Sequence, residues 1–232
     1  MRYSSIFLML VLLACEDKPV VVDLGTDFFP LRTGREWTYT IRQTAFSYLA
    51  DPVETSYQMR VAVTDSVLIN TSTTYFMEVS TRSNPTEMWQ PAATWSASLT
   101  GNQLIQNESN VTRVKMVFPI GPTTVWDSNT FNNEAPFLRD YVTTAQQRLS
   151  TIENFNQPRS LSTELNFEHT LTVVIRNLFD PIIGEDIQKE TYARGTGLIA
   201  KEVSQAIFCT QGSCTGKKQG VSYTQTLISY VP

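Results

Sequence analysis

The chain has 232 residues, 41% hydrophobic and 17% charged, with a formal net charge of −4. That balance fits a globular domain with a substantial core and excludes a disordered chain. The mild acidity gives no electrostatic ground for binding nucleic acid. The many aromatics, with abundant Thr, Ser and Val, favour β structure.

The chain opens with Arg2 and an unbroken apolar run from Ile6 to Ala14. The run is too short for a membrane span, which needs about 20 residues, but it has the length of a signal-peptide core. It ends in Leu12-Leu13-Ala14-Cys15, which resembles the lipobox of bacterial lipoproteins. The resemblance implies cleavage after Ala14 and lipid on Cys15, and two or three acyl chains there would hold the chain permanently. Residues 1–14 are therefore expected to be a signal peptide, 15–27 a lipidated tether, and 28–232 a single β domain. Glu16-Asp17 after the cysteine fits a surface-export signal of Bacteroidota lipoproteins or a merely soluble tether. The expected location is the cell envelope at the outer membrane, with the periplasmic or surface face open.

In the domain, Pro30 and Gly34 frame a turn, and Trp37, Tyr39 and Ile41 then alternate with polar residues as in a half-buried strand. The same period marks Met59–Val63 and Tyr75–Val79, with Asn70–Thr73 as the turn between them. Met88–Leu99 reads as a weaker strand, broken by Pro91 and placed at a sheet edge. Gln103–Gln106 follows the turn at Gly101-Asn102. Val114, Met116 and Phe118 then face inward, with Arg113, Lys115 and Val117 outward. Residues 137–153 read as strand, with a helix as the alternative, because an apolar helical stripe competes with three threonines. Phe167, His169, Leu171, Val173 and Ile175 share one face of the clearest strand. A loop is expected over Asn177–Gly184, then strands over Ile187–Ala193, Gly197–Phe208 and Val221–Val231. No strand–helix–strand rhythm appears, so the fold class is mainly β, one antiparallel domain twisted into an open barrel or sandwich.

Cys209 and Cys214 are separated by four residues including Gly212. In an exported chain this spacing predicts a disulfide across a hairpin loop, worth about 2 kcal/mol in the chain-entropy model. A zinc site would need two further ligands, and the chain has one histidine.

Four segments resemble a family of uncharacterised lipoproteins of the Bacteroidota. They are Phe28-Phe29-Pro30-Leu31 with Gly34, Trp37 and Tyr39; Phe118-Pro119-Ile120 with Trp126–Asn132; Tyr192-Ala193-Arg194-Gly195-Thr196-Gly197-Leu198-Ile199 with Lys201-Glu202; and Leu227–Tyr230. The resemblance implies an exported, lipid-anchored β domain and brings no activity with it.

No catalytic constellation is visible. His169 is the single histidine and reads as a packed core residue. Neither G-x-S-x-G nor H-E-x-x-H occurs. The neighbours Glu185 and Asp186 should diverge on a strand, and the turn at Gly195-Thr196-Gly197 lacks the pattern of a phosphate loop. Trp89, Trp95 and Trp126 read as core, with a stacking surface for sugars or a partner as the alternative. The expectation is a non-catalytic envelope lipoprotein without cofactor or metal, binding an envelope protein or glycan or serving as an accessory subunit of an outer-membrane complex. A lipid or lipopeptide carrier with an apolar cavity is the second reading, and a glycan hydrolase the third.

Overall fold

The computed structural model describes residues 22–132, 137–138, 148–209 and 216–232. Cys15, the leader and Cys214 lie outside the described residues, as do residues 139–147 of the ambiguous stretch. Alternating apolar and polar side chains build β1 (Glu36–Ser47), β2 (Ala50–Ile69), β3 (Ser72–Arg82), β4 (Gln90–Thr100), β5 (Gln103–Glu108) and β6 (Val111–Val117). After a long connection come β7 (Thr151–Ser160), β8 (Asn166–Asp180), β9 (Gly184–Ala193), β10 (Gly197–Phe208) and β11 (Lys217–Val231).

All eleven join one antiparallel sheet, ordered β6-β5-β4-β3-β2-β1-β11-β10-β9-β8-β7. Two meanders are thus fused where β1 pairs with β11, and β6 and β7 are the two edges. One apolar cluster holds Leu104 of β5 and Met116 of β6 together with Ile152 of β7 and Leu171 of β8. Strands from opposite ends of the order share a core only if the sheet curls back on itself. The result is a half-barrel rather than a sandwich of two sheets.

The connection from Phe118 to Asn132 straps the gap between the edges. Trp126 and Ser150 exchange backbone hydrogen bonds at 3.2 and 2.7 Å, and the Trp126 indole donates to the Val114 carbonyl at 2.8 Å. The Asn132 side-chain amide stands in for a strand, bonding both backbone groups of Thr112. An exposed edge would offer unpaired backbone to other chains, and the strap covers part of it.

One end of the half-barrel carries the β2–β3, β4–β5, β7–β8 and β9–β10 turns. The N-terminal segment docks there, joining the domain ahead of Phe28. The Leu24 carbonyl accepts from Ile120 at 3.0 Å, and Asp23 and Asp27 each reach Arg194 at 2.7 Å. A 3-10 turn, Thr26–Phe28, drives Phe28 fully into the core.

Several expectations are corrected. β4 is interior to the sheet order, yet β5 pairs only from Trp95 onward. Around Pro91 one side of β4 is locally an edge, where a missing N–H goes unnoticed. β8 runs to Asp180, so the expected loop shrinks to the three residues before Gly184. His169 is exposed rather than packed, because only from Thr170 onward does β8 enter the covered part of the sheet.

Candidate functional site

The inner face of β5, β6, β9, β10 and β11 converges on a buried group of charges. Glu190 on β9 stands directly across from Lys201 on β10, brought there by a register slip between Leu198 and Ala200. Lys115 on β6 reaches across the curl to Glu190 at 2.7 Å and to Glu108 on β5 at 3.1 Å. Lys201 lies 3.2 Å from the same Glu190 oxygen. The Tyr192 hydroxyl donates to the second Glu190 oxygen at 2.5 Å.

Burial alone would raise the Glu190 pKa. The charges of Lys115 and Lys201 and the hydrogen bonds from Lys115 and Tyr192 outweigh it, and the carboxyl sits well below its ordinary value. Glu108 is likewise held down, because Lys115 and Lys201 overcome its desolvation. Lys201 is pushed the other way: burial opposes its charge, but Glu108, Tyr223 and Glu190 hold its proton. Tyr39 and Tyr192 are raised, first by burial and then by the charge of Glu190. The two acids and two lysines neutralise one another, so the cluster presents no free charge to a ligand.

Beside it lies a cavity of about 50 Å3, walled by Trp37, Tyr39, Met77, Trp95 and Leu198. A buried water needs about 10–15 Å3 on this measure, so the space holds a few waters. Small-molecule sites run to about 300–1,000 Å3.

Lys115 was expected to point outward and is buried instead. The β5–β6 register slips between Leu104 and Ile105, so Leu104 pairs with Met116, Ile105 with Val114, and Lys115 is the extra residue of a bulge. Sequence reasoning missed Glu190 and Lys201: a tight turn that pairs Ala193 with Gly197 would set Glu190 against Ala200, and only the register slip between Leu198 and Ala200 brings Lys201 opposite it.

The residues quoted for the family resemblance meet in this fold. The Trp37 indole donates to the Thr196 carbonyl at 2.5 Å, Arg35 to Gly195 at 2.7 Å, and the Tyr39 hydroxyl to Leu198 at 3.0 Å. Gly197 has φ +98°, and a Cβ there would lie 3.4 Å from the Trp37 ring. The first and third segments are thus a clasp at the end of the half-barrel where the N-terminal segment docks. The second is the strap, and Leu227 of the fourth is core.

No protein-family model matches the chain, and no curated protein matches it. Among solved structures, a protein from Bacteroides fragilis described as exported, with a YmcC-like fold, matches over 88% of this chain and 99% of its own. Its identity is 11% and its TM-score 0.42. A protein from Parabacteroides distasonis described as a lipoprotein matches over 88% of this chain and 98% of its own, at 12% identity and a TM-score of 0.38. At such identity no activity carries over.

The remaining expected residues are scattered. Glu185 and Asp186 diverge as expected. Glu185 meets Lys217 at 2.7 Å in an outer network with Ser204 and Ser222, whereas Asp186 accepts from Gln188 and Gln205, both at 3.1 Å. Trp126 is buried, Trp95 half-buried against the core, and Trp89 half-buried with Arg82 4.2 Å from its ring centroid. Cys209 follows β10, its amide donating to the Gly216 carbonyl at 2.9 Å; its expected partner lies outside the described residues. No group of three metal-ligating side chains occurs among the described residues.

Proposed function

We propose that the chain is a lipid-anchored envelope lipoprotein of the Bacteroidota whose domain binds a protein partner, without catalysis, at the rim opposite its anchor. The observation that carries this is an apolar rim far from the docked N-terminal segment. Tyr48, Leu49 and Val53 stand at the β1–β2 turn, with Leu49 96% exposed. Phe179 and Ile182 stand at the β8–β9 turn, 62% and 68% exposed, with the Phe208 ring 5.8 Å from Phe179. Exposed aromatics and aliphatics grouped on one rim are the usual material of a protein interface.

The interior argues against the rivals. A carrier needs an enclosed apolar space; among the described residues the interior cavity is small and flanked by charge, and the larger cleft of about 480 Å3 beside Phe29, Leu31 and Leu104 is more open. A glycan hydrolase needs one carboxyl kept protonated as general acid. Glu108 and Glu190 flank Lys115, but both are held ionised.

The test is a photocrosslinking amino acid at Leu49 or Phe179 in the native envelope, with Glu78 on an exposed face as control. A discrete protein adduct at the rim positions alone is expected; none, or the same pattern at Glu78, overturns the reading. Fractionation tests the anchor, since Cys15→Ser should move the protein from membrane to soluble fraction. In the same compartment, mass spectrometry of the unreduced chain should find Cys209 joined to Cys214.

A further inference from the structure

We infer that the tip of the β2–β3 hairpin, Val67-Leu68-Ile69, dips into the surface of the bilayer that holds the anchor. This rests on the lipid-anchored reading of Cys15 and adds to it a second contact with the membrane.

The tether and the hairpin leave the same end of the half-barrel. Val22 lies seven residues beyond Cys15. An extended chain of that length spans about 25 Å at most. From Asp23 onward the segment is fixed by Arg194 and Ile120 at the end where β2 turns into β3. The hairpin projects from that end. β1 begins at Glu36, opposite Ala62, and Val63 still exchanges backbone hydrogen bonds with Gly34 and Arg35, whereas β2 continues from Thr64 to Ile69, six residues, with β3 as its strand partner. At about 3.3 Å per residue the overhang is roughly 20 Å. Projection and tether thus have matching reach, and an anchored domain that stands on this end brings the hairpin to the lipid.

The chemistry of the tip fits that place. Leu68 is 69% exposed, and Val67 and Ile69 are exposed beside it. No charged residue occurs from Ser66 to Met77. The β4–β5 turn on the same end is similarly neutral, with no charge from Met88 to Asn107 and with Leu99 exposed. Charged side chains are costly in lipid, and their absence from both turns removes that obstacle. The backbone of the turn at Asn70-Thr71 still needs hydrogen-bonding partners, which limits the depth to the headgroup boundary, where amphipathic elements settle.

The experiment uses the full lipidated chain in vesicles of phosphatidylethanolamine and phosphatidylglycerol. An environment-sensitive fluorescent amino acid replaces Leu68, or Leu99 as a second site, or Leu49 on the far rim as control. The expected result is blue-shifted emission at position 68, quenched by acyl-chain doxyl lipid and protected from aqueous iodide, with the reverse at position 49. Iodide quenching at position 68 equal to that at 49, in protein that sediments with the vesicles, overturns the inference and leaves the anchor standing. Shielding of position 68 from both quenchers means that protein covers the tip, and also overturns it. Failure of the protein to sediment overturns the anchor and the inference together.

Discussion

Two ionic networks on the same sheet differ in what surrounds them. The inner one joins Glu108, Lys115, Glu190 and Lys201 across the curl, with the Glu190 side chain 2% exposed. The outer one joins Glu185, Ser204, Ser222 and Lys217, with the Lys217 side chain 31% exposed. Their distances are alike: Lys115 stands 2.7 Å from Glu190, and Lys217 stands 2.7 Å from Glu185. What differs is the water available to replace a lost partner. Outside, Lys217 stands near solvent and Glu185 keeps the Ser204 hydroxyl when the lysine is lost; inside, removing Glu190 leaves Lys115 buried and unbalanced. Similar geometry therefore gives very different energetics, and the inner network holds distant strands together while the outer one decorates neighbours.

The strongest way to break this contrast is Glu190→Ala. It strands the buried Lys115 and the half-buried Lys201 and should cost about 3–5 kcal/mol of stability in urea unfolding. A loss below about 1 kcal/mol would mean that water already reaches the cluster.

Acid should act on the same carboxylate. Its folded-state pKa lies below its ordinary 4.5, so its contribution is complete above that pH and is lost as pH falls through the folded-state value. Unfolding free energy should decline steadily below pH 4.5, and less steeply in Glu190→Gln. On the alkaline side Tyr39 and Tyr192 are raised above 10.0, so their contribution is intact below that pH and drains as pH rises beyond it.

A neutral bond in the same interior supplies the middle of the scale. Trp37→Phe keeps an aromatic ring but trims the indole and orphans the Thr196 carbonyl, and should cost about 1–3 kcal/mol. Smallest of all, Lys217→Ala should change stability by about 0–1 kcal/mol, because that side chain is 31% exposed and Glu185 keeps the Ser204 hydroxyl as a donor. A loss there as large as that of Glu190→Ala would erase the distinction between the two faces.

The strands were readable because a half-buried strand writes its burial into every second residue. Trp37, Tyr39 and Ile41, and later Leu171, Val173 and Ile175, face the core as their alternation requires. The turn at Gly195–Gly197 was readable because both glycines hold positive φ, at +70° and +98°. Lys115 was misplaced by the same alternation, since a bulge adds one residue and shifts the phase. His169 was misplaced because a period says which face a residue shares but not where along the strand the cover begins.

By itself the sequence determined the β class, most strand positions and the clasp residues at the Gly195–Gly197 turn. These follow from local rules, the two-residue period and the backbone freedom of glycine. Only the tertiary structure decided that β1 pairs with β11, that the sheet curls so Lys115 meets Glu190, and that the N-terminal segment docks beside the β2–β3 overhang. Those contacts join residues tens to hundreds of positions apart. Their free energy comes from burying distant strands together, a quantity that no local window of the chain contains.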